Sequence, residues 1–231
     1  MSARPRERRP LKSVRNVRFR DFAALTGPLA GCKEVARYPP FADVDFMWQV
    51  LLAESGSFQP VQDKDETVCS LSSAGHVVVC AAAEVHHLTD FGVQVSSNAK
   101  PFTSFSVREQ GELPPHLAGL ALWVRTTPPQ ASHCVRPCRL SAEEVVETGP
   151  CSLVVVLSLC GLPTAYFPRW QQQGGKLCLC PDCRADGGGD GFKIPPGEAI
   201  VMQPGESISV VAVGGPAVVV LIELQLQNAR L

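Results

Sequence analysis

The sequence predicts a mainly β chain, an antiparallel sandwich or barrel that carries a disordered basic N-terminal arm and a cysteine-containing loop. Three observations predict it. Twenty prolines and nineteen glycines in 231 residues interrupt the chain at short intervals, which argues against a helical bundle or coiled coil. Apolar and β-branched runs, some alternating with a period of two, lie between those interruptions. With 45% hydrophobic and 19% charged residues, the chain can bury a core and is not a disordered polymer.

The arm comes first. Residues 1–20 hold Arg4, Arg6, Arg8, Arg9, Lys12, Arg15, Arg18 and Arg20 against Glu7 alone, a charge of +7. The remaining residues carry thirteen basic and twenty-one acidic side chains, or −8, so a basic segment precedes an acidic body. Pro5 and Pro10 exclude a continuous helix through its first ten residues. Such a segment suits nuclear import, nucleic acid or an acidic partner, and otherwise serves as a solvated tail. Its charges fall where a signal peptide needs an apolar stretch, and no apolar run reaches the roughly 18 residues of a membrane span. An intracellular protein of the nucleus or cytoplasm is the expectation.

In the body, Val44, Phe46, Trp48, Val50 and Leu52 alternate and predict a strand with one buried face. Further strands are expected at 67–71, 76–83, 91–95, 102–107 and 120–126, separated by Ser, Gly, Asn and Pro clusters. Ser141-Ala-Glu-Glu144 matches a capping box, so 142–147 is either a short helix or an edge strand. Residues 151–160 suit a central strand. Pro196-Gly-Glu198 and Pro204-Gly-Glu206 open successive turn-and-strand units, followed by strands at 208–213 and 217–226. The organisation expected is an arm at 1–20 and one β-rich domain at 21–231, with a polar, cysteine-rich excursion at about 171–191.

Ten cysteines in a chain of this length, without a signal peptide, read as reduced thiols. Cys80 and Cys160 end apolar runs and are expected in the core. Cys180-Pro-Asp-Cys183 is a CxxC pair, and Cys134-Val-Arg-Pro-Cys138 is a second short pair. A structural zinc held by Cys134, Cys138, Cys180 and Cys183 is the metal site this pattern predicts, with His133 or Cys178 as substitutes. Free thiols on two loops are the alternative.

The remaining patterns exclude more than they assign. His86 and His87 are adjacent, so on a strand they face opposite ways and cannot readily share an ion. No histidine follows His133, which removes the HxH-plus-later-histidine set that a metal oxygenase on a jelly roll needs. Asp182, Asp186 and Asp190 are too widely spaced for a calcium loop. No P-loop, GxSxG, Rossmann glycine pattern or HExxH occurs, so no catalytic residue is assigned.

The stretch from His87 to Val95 (HLTDFGVQV), the stretch from Gly111 to Arg125 (GELPPHLAGLALWVR) and the two closing Pro-Gly-Glu strands resemble divergent dUTPase-related β-proteins of large DNA viruses, the herpesviruses in particular. The family's Pro-Arg-Ser-Gly loop and Gly-x-Ile-Asp strand have no counterpart, so the resemblance implies a scaffold without nucleotide hydrolysis. The function expected is a non-enzymatic regulatory or protein-interaction domain, viral, with a zinc-stabilised loop and another protein as partner. The alternatives are a dUTPase-like nucleotide hydrolase or a nucleic-acid binder using the arm.

Overall fold

Apolar runs with a two-residue period fold as strands because alternate side chains then share one face. The computed structural model describes residues 14–17, 22–38, 45–57, 63–74, 76–81, 84–96, 101–108, 113–148, 153–166, 191–202 and 208–226. The first half forms β1 (Val14–Val17), β2 (Ala23–Ala24), β3 (Cys32–Tyr38), β4 (Trp48–Ala53), β5 (Gly56–Ser57), β6 (Asp65–Ser70), β7 (His76–Ala81), β8 (Glu84–Thr89), β9 (Val93–Ser96), β10 (Phe102–Arg108) and β11 (Ala121–Thr126). The second half forms β12 (Ala131–Leu140), β13 (Val145–Glu147), β14 (Leu153–Cys160), β15 (Pro163–Tyr166), β16 (Gly191–Lys193), β17 (Ala199–Met202), β18 (Ser209–Ala212) and β19 (Ala217–Leu226). The fold is nearly all antiparallel β, as expected. Among the described residues one 3-10 turn, Gly27–Leu29, is the helical element, and no helix is long and apolar enough to cross a membrane.

Four sheets stack as two sandwiches packed back to back. An outer sheet β5-β10-β7-β8 covers an inner sheet β2-β3-β4-β11-β6-β9, and an inner sheet β1-β17-β14-β19-β12 is covered by an outer sheet β13-β18-β15-β16. Three apolar layers hold them. Leu51, Val68 and Trp123 pack against Val77, Val79 and Phe105 inside the N-terminal sandwich. Val50, Leu122 and Val124 meet Val155, Leu157 and Ile222 between the inner sheets. Val156, Ile200 and Leu221 face Val210 and Ile208 inside the C-terminal sandwich.

This layering corrects the expectation of a strand with one buried face. β4 is buried along its whole length, with Trp48, Val50 and Leu52 toward the central layer and Leu51 and Ala53 toward the sandwich interior. β11 is buried on both faces in the same way, which is why residues 120–124 form a continuous apolar run. The core cysteines also differ from expectation. Among the described residues Cys32 and Cys69 are the buried thiols, whereas Cys80 and Cys160 are half-buried at their strands' outer positions and ends.

The capping-box residues do make their contact, the Ser141 N–H donating to Glu144 Oε2 at 2.8 Å, but the chain continues as β13 at a sheet edge. Within the segment assigned to the arm, Val14–Val17 pair with β17, Val14 opposite Met202 and Val17 opposite Ala199. Two β-branched valines favour that extended conformation, so the fold begins before residue 21. Residues 1–13 and 18–21 lie outside the described residues.

The two halves also touch at a glycine. Gly197 has φ of +83°, and a Cβ there would stand 2.0 Å from His116 Nε2. Only glycine lets the 195–198 turn of the C-terminal sandwich approach the 113–120 loop of the N-terminal one this closely.

Candidate functional site

Register builds a polar row inside the N-terminal sandwich. Arg37 of β3 pairs with Gln49 of β4, Gln49 with Arg125 of β11, and Arg125 with Glu66 of β6. All four stand on neighbouring strands of the inner sheet, on the side that one pleat further in carries Leu51, Trp123 and Val68. Alternation therefore sends two positive charges, one negative charge and an amide into a sandwich whose other inward residues are mostly apolar.

The row is joined by hydrogen bonds. Arg125 Nε lies 3.2 Å from Glu66 Oε1, with the side chains 2% and 1% exposed. The Arg125 Nη1 group donates to Gln49 Oε1 at 3.3 Å, and Gln49 Nε2 donates to Glu34 Oε2 at 2.5 Å. Arg37 Nη1 is 4.0 Å from the same Glu34 oxygen. The second Glu66 oxygen accepts from the Phe102 N–H at 3.1 Å. Aromatic rings flank the guanidinium, its carbon lying 4.8 Å from the Phe46 centroid and 4.7 Å from that of Trp123. Lys64 Nζ lies 4.6 Å from the Phe46 centroid, and it also bonds Asp45 at 3.1 Å and Thr127 Oγ1 at 2.7 Å.

Burial sets the electrostatics. Loss of water pushes the Glu66 carboxyl above the ordinary carboxylate range, and Arg125 and the Phe102 N–H only partly offset this. Burial also pulls the Arg125 guanidinium down, against the attraction of Glu66, but not far enough to remove its charge. The Cys32 thiol, facing the same interior, is pushed up to about 11 by burial and stays protonated. Among the described residues the C-terminal sandwich shows no such row. Its described interior is Val154, Val156, Ile200, Val210, Val219 and Leu221 with their apolar neighbours.

The residues singled out from the sequence fall elsewhere. Cys134 and Cys138 lie on the regular strand β12, Cys134 exposed and Cys138 half-buried against the C-terminal core. Four residues of extended strand separate them by roughly 13 Å, whereas two sulfurs on one zinc at about 2.3 Å must lie within about 4 Å of each other. The structure therefore does not bring Cys134 and Cys138 together. Cys178, Cys180 and Cys183 lie outside the described residues, as do Asp182, Asp186 and Asp190. His133 is no substitute ligand, since it bridges Thr67 Oγ1 at 2.7 Å and Thr126 Oγ1 at 2.8 Å between the inner sheets, and burial holds its pKa at about 4. His86 and His87 do face opposite ways, toward Glu84 and toward His76. The polar row escaped the sequence reading because its members are spread over 89 positions and only strand register aligns them. A lone charge at the end of an apolar run, such as Arg125, was its one local sign.

No family model and no curated protein matches this chain. Its fold, however, is similar to solved structures over nearly its whole length. A conserved protein of unknown function, PA5104 from Pseudomonas aeruginosa PAO1, aligns at TM-score 0.67 and 14% identity, covering 93% of this chain and 100% of that one. HutD from Pseudomonas fluorescens SBW25 aligns at 0.60 and 15%, covering 94% and 100%. The pirin YhhW from Escherichia coli, solved with nickel(II), aligns at 0.55 and 11%, covering 93% and 100%.

These are bacterial proteins of the cupin fold, and the likeness is one of fold. It overturns the resemblance to viral dUTPase-related proteins. Residues 87–95 run from the end of β8 in the outer sheet into β9 in the inner sheet, and residues 113–125 are a loop and most of β11, local turn-and-strand patterns that many β folds share. With that resemblance falls the reading of a viral regulatory domain that rested on it, since these three neighbours are bacterial proteins; the nuclear reading, drawn from the charge of residues 1–20, gains no support from them.

Proposed function

We propose that this chain is a small-molecule-binding protein of the cupin fold, and that the ligand is a small organic carboxylate taken at the Arg37–Gln49–Arg125–Glu66 row. The carrying observation is the nearly complete burial of Arg125 and Glu66 in an otherwise apolar sandwich. An ion pair in such a place returns little or no net stability compared with apolar residues of similar size, so a role in binding is the better account of it. Ligand sites favour the mouths of β-barrels and sandwiches, where a few polar groups stand among aromatic walls. Here Phe46 and Trp123 are the walls, and Arg125, Arg37 and Lys64 supply three cations. The Arg125 guanidinium carbon lies 4.8 and 4.7 Å from the two ring centroids, and a guanidinium pairs with a carboxylate through two parallel N–H groups. Glu66, its pKa raised, can take up a proton as a ligand carboxylate replaces it on Arg125.

The fold group includes a nickel-bound member, so the interior must be asked whether it fits a metal ion. It does not. Among the described residues no three His, Cys, Asp or Glu side chains converge, the Cys32 thiol is held protonated, and the Glu66 oxygens already face a guanidinium and a backbone N–H. We therefore assign no step to a metal there. Zinc remains a separate reading for the cysteines, with Cys180 and Cys183 joined by one thiol of β12. The CxxC spacing and the exposed, free Cys134 support it, and loss of zinc on Cys180→Ser with Cys183→Ser is its test.

The binding reading is tested by thermal shift and calorimetry with a panel of mono- and dicarboxylates. A ligand at about 100 times its Kd stabilises the fold by about 2.7 kcal/mol. Arg37→Ala and Lys64→Ala should weaken that ligand while leaving the fold intact. If no carboxylate shifts the melting temperature, or if both variants bind as the parent does, the assignment is wrong.

A further inference from the structure

On the outer face of the N-terminal sandwich, β7 and β8 form an antiparallel pair with His76 opposite Thr89 and Val78 opposite His87. His76 and His87 are thus diagonal neighbours. Both side chains stand away from the buried layer, which takes Val77, Val79 and Leu88 from the same two strands. Their ring centroids lie 5.0 Å apart with 21° between planes, and His76 Nε2 lies 2.8 Å from His87 Nδ1, so the rings meet edge to edge through these nitrogens.

We propose that His76 and His87 form a two-histidine site for a divalent transition-metal ion of the nickel, copper or zinc class. Imidazole nitrogens bind such ions at about 2.0–2.1 Å, so two on adjacent corners of a square-planar or tetrahedral ion lie about 2.9–3.4 Å apart. The pair observed is short of that range by a tenth of an ångström or a little more. Since the two nitrogens now point at each other, rotation of both side chains by roughly 45° turns their lone pairs toward a common ion. Without metal, one facing nitrogen carries the proton of the hydrogen bond. With metal, both facing nitrogens offer lone pairs, and that proton moves to the far nitrogen of the same ring. The ion gains two neutral ligands without a net proton leaving, and water completes its coordination.

The surroundings set limits on this site. Arg108 of β10 stands opposite His76 in register and adds a positive charge on the same face, so the site favours ions bound by ligand strength rather than by charge. His86 takes no part, since it lies on the other side of β8, 3.6 Å from Glu84. The site is separate from the interior row and requires nothing of the carboxylate reading.

Titration of the full chain with Ni2+ by calorimetry tests the proposal, with His76→Ala, His87→Ala and His86→Ala as variants. All three positions are on a sheet surface, and circular dichroism checks that each variant folds. Loss of an outer-shell partner alone costs metal sites 10–100-fold, so removing one of two ligands should weaken the strong Ni2+ site by roughly tenfold or more. His86→Ala should titrate as the parent does. Bound Cu2+ should show nitrogen hyperfine splitting from two imidazoles in the parent and from fewer in either single variant. Equal Ni2+ affinity in the parent, His76→Ala and His87→Ala would overturn the assignment, as would a loss that follows His86.

Discussion

Arg125 and Glu66 stand directly opposite one another across β11 and β6, and their ion pair is closed off from water on both sides. Removing one member strands the other. Arg125→Met should therefore cost about 3–5 kcal/mol, the usual penalty for an unpaired buried charge, measured by urea denaturation at neutral pH. Adding Glu66→Met to that variant removes the stranded carboxylate and should restore most of the loss. A double variant as unstable as the single one would show that the pair supports the fold, which would weaken the case for a ligand role.

His133 should govern the acid limb of stability. Burial lowers its pKa to about 4, against about 6.5 in the unfolded chain. Between those values the unfolded state binds more protons than the folded one, so stability rises with pH across this window and is lost as pH falls from about 6.5 to 4. A shift of this size corresponds to about 3 kcal/mol in full. His133→Gln keeps one polar group for Thr67 or Thr126 and removes the titration, so its unfolding free energy should be flatter than the parent's between pH 6.5 and 4. Parallel curves for the two proteins would exclude His133 as the source.

The contact between Gly197 and His116 predicts a coupled pair. Gly197→Ala meets both a positive φ and the imidazole, and should destabilise by about 1–3 kcal/mol. Because the obstructing atom is the far end of a side chain, His116→Ala in the same chain should recover the steric part and leave the backbone strain. A double-mutant cycle should give a coupling of about 0.5–3 kcal/mol, and strictly additive effects would mean that the two residues do not meet.

Strand positions were legible because alternation is local: residues 102–107 and 120–126 reveal their period within a few positions. The layering was not. Trp48, Val50 and Leu52 mark one apolar face equally well whether the other is wet or covered, and it took the second sandwich to show that Leu51 and Ala53 are buried too. The polar row and the His76–His87 pair depend on register, which aligns residues 11 to 88 positions apart and leaves no trace in spacing. The cysteine pair misled for the opposite reason. Cys134 and Cys138 are close in sequence, and a turn would have joined their thiols, but β12 extends through Pro137, which an edge strand tolerates because its free side needs no donor. The basic arm was read from charge, and charge hid the two valines that place β1 in a sheet.

That strand yields the last expectation, a boundary for truncation. Residues 1–13 carry Arg4, Arg6, Arg8, Arg9 and Lys12 and are interrupted by Pro5 and Pro10, a composition that packs poorly, whereas Val14–Val17 complete the edge of the C-terminal inner sheet by pairing with β17. Deleting residues 1–13 should leave the melting temperature within experimental scatter. Deleting residues 1–17 removes a four-residue strand and exposes the backbone groups of β17, an open edge that also invites association between chains. In a chain of this size each 1 kcal/mol lost lowers the midpoint by about 2–4 °C, so the longer deletion should melt several degrees lower and show more concentration-dependent aggregation by light scattering. Equal melting for the two deletions would mean that β1 adds nothing to stability and would return the arm's boundary to residue 20.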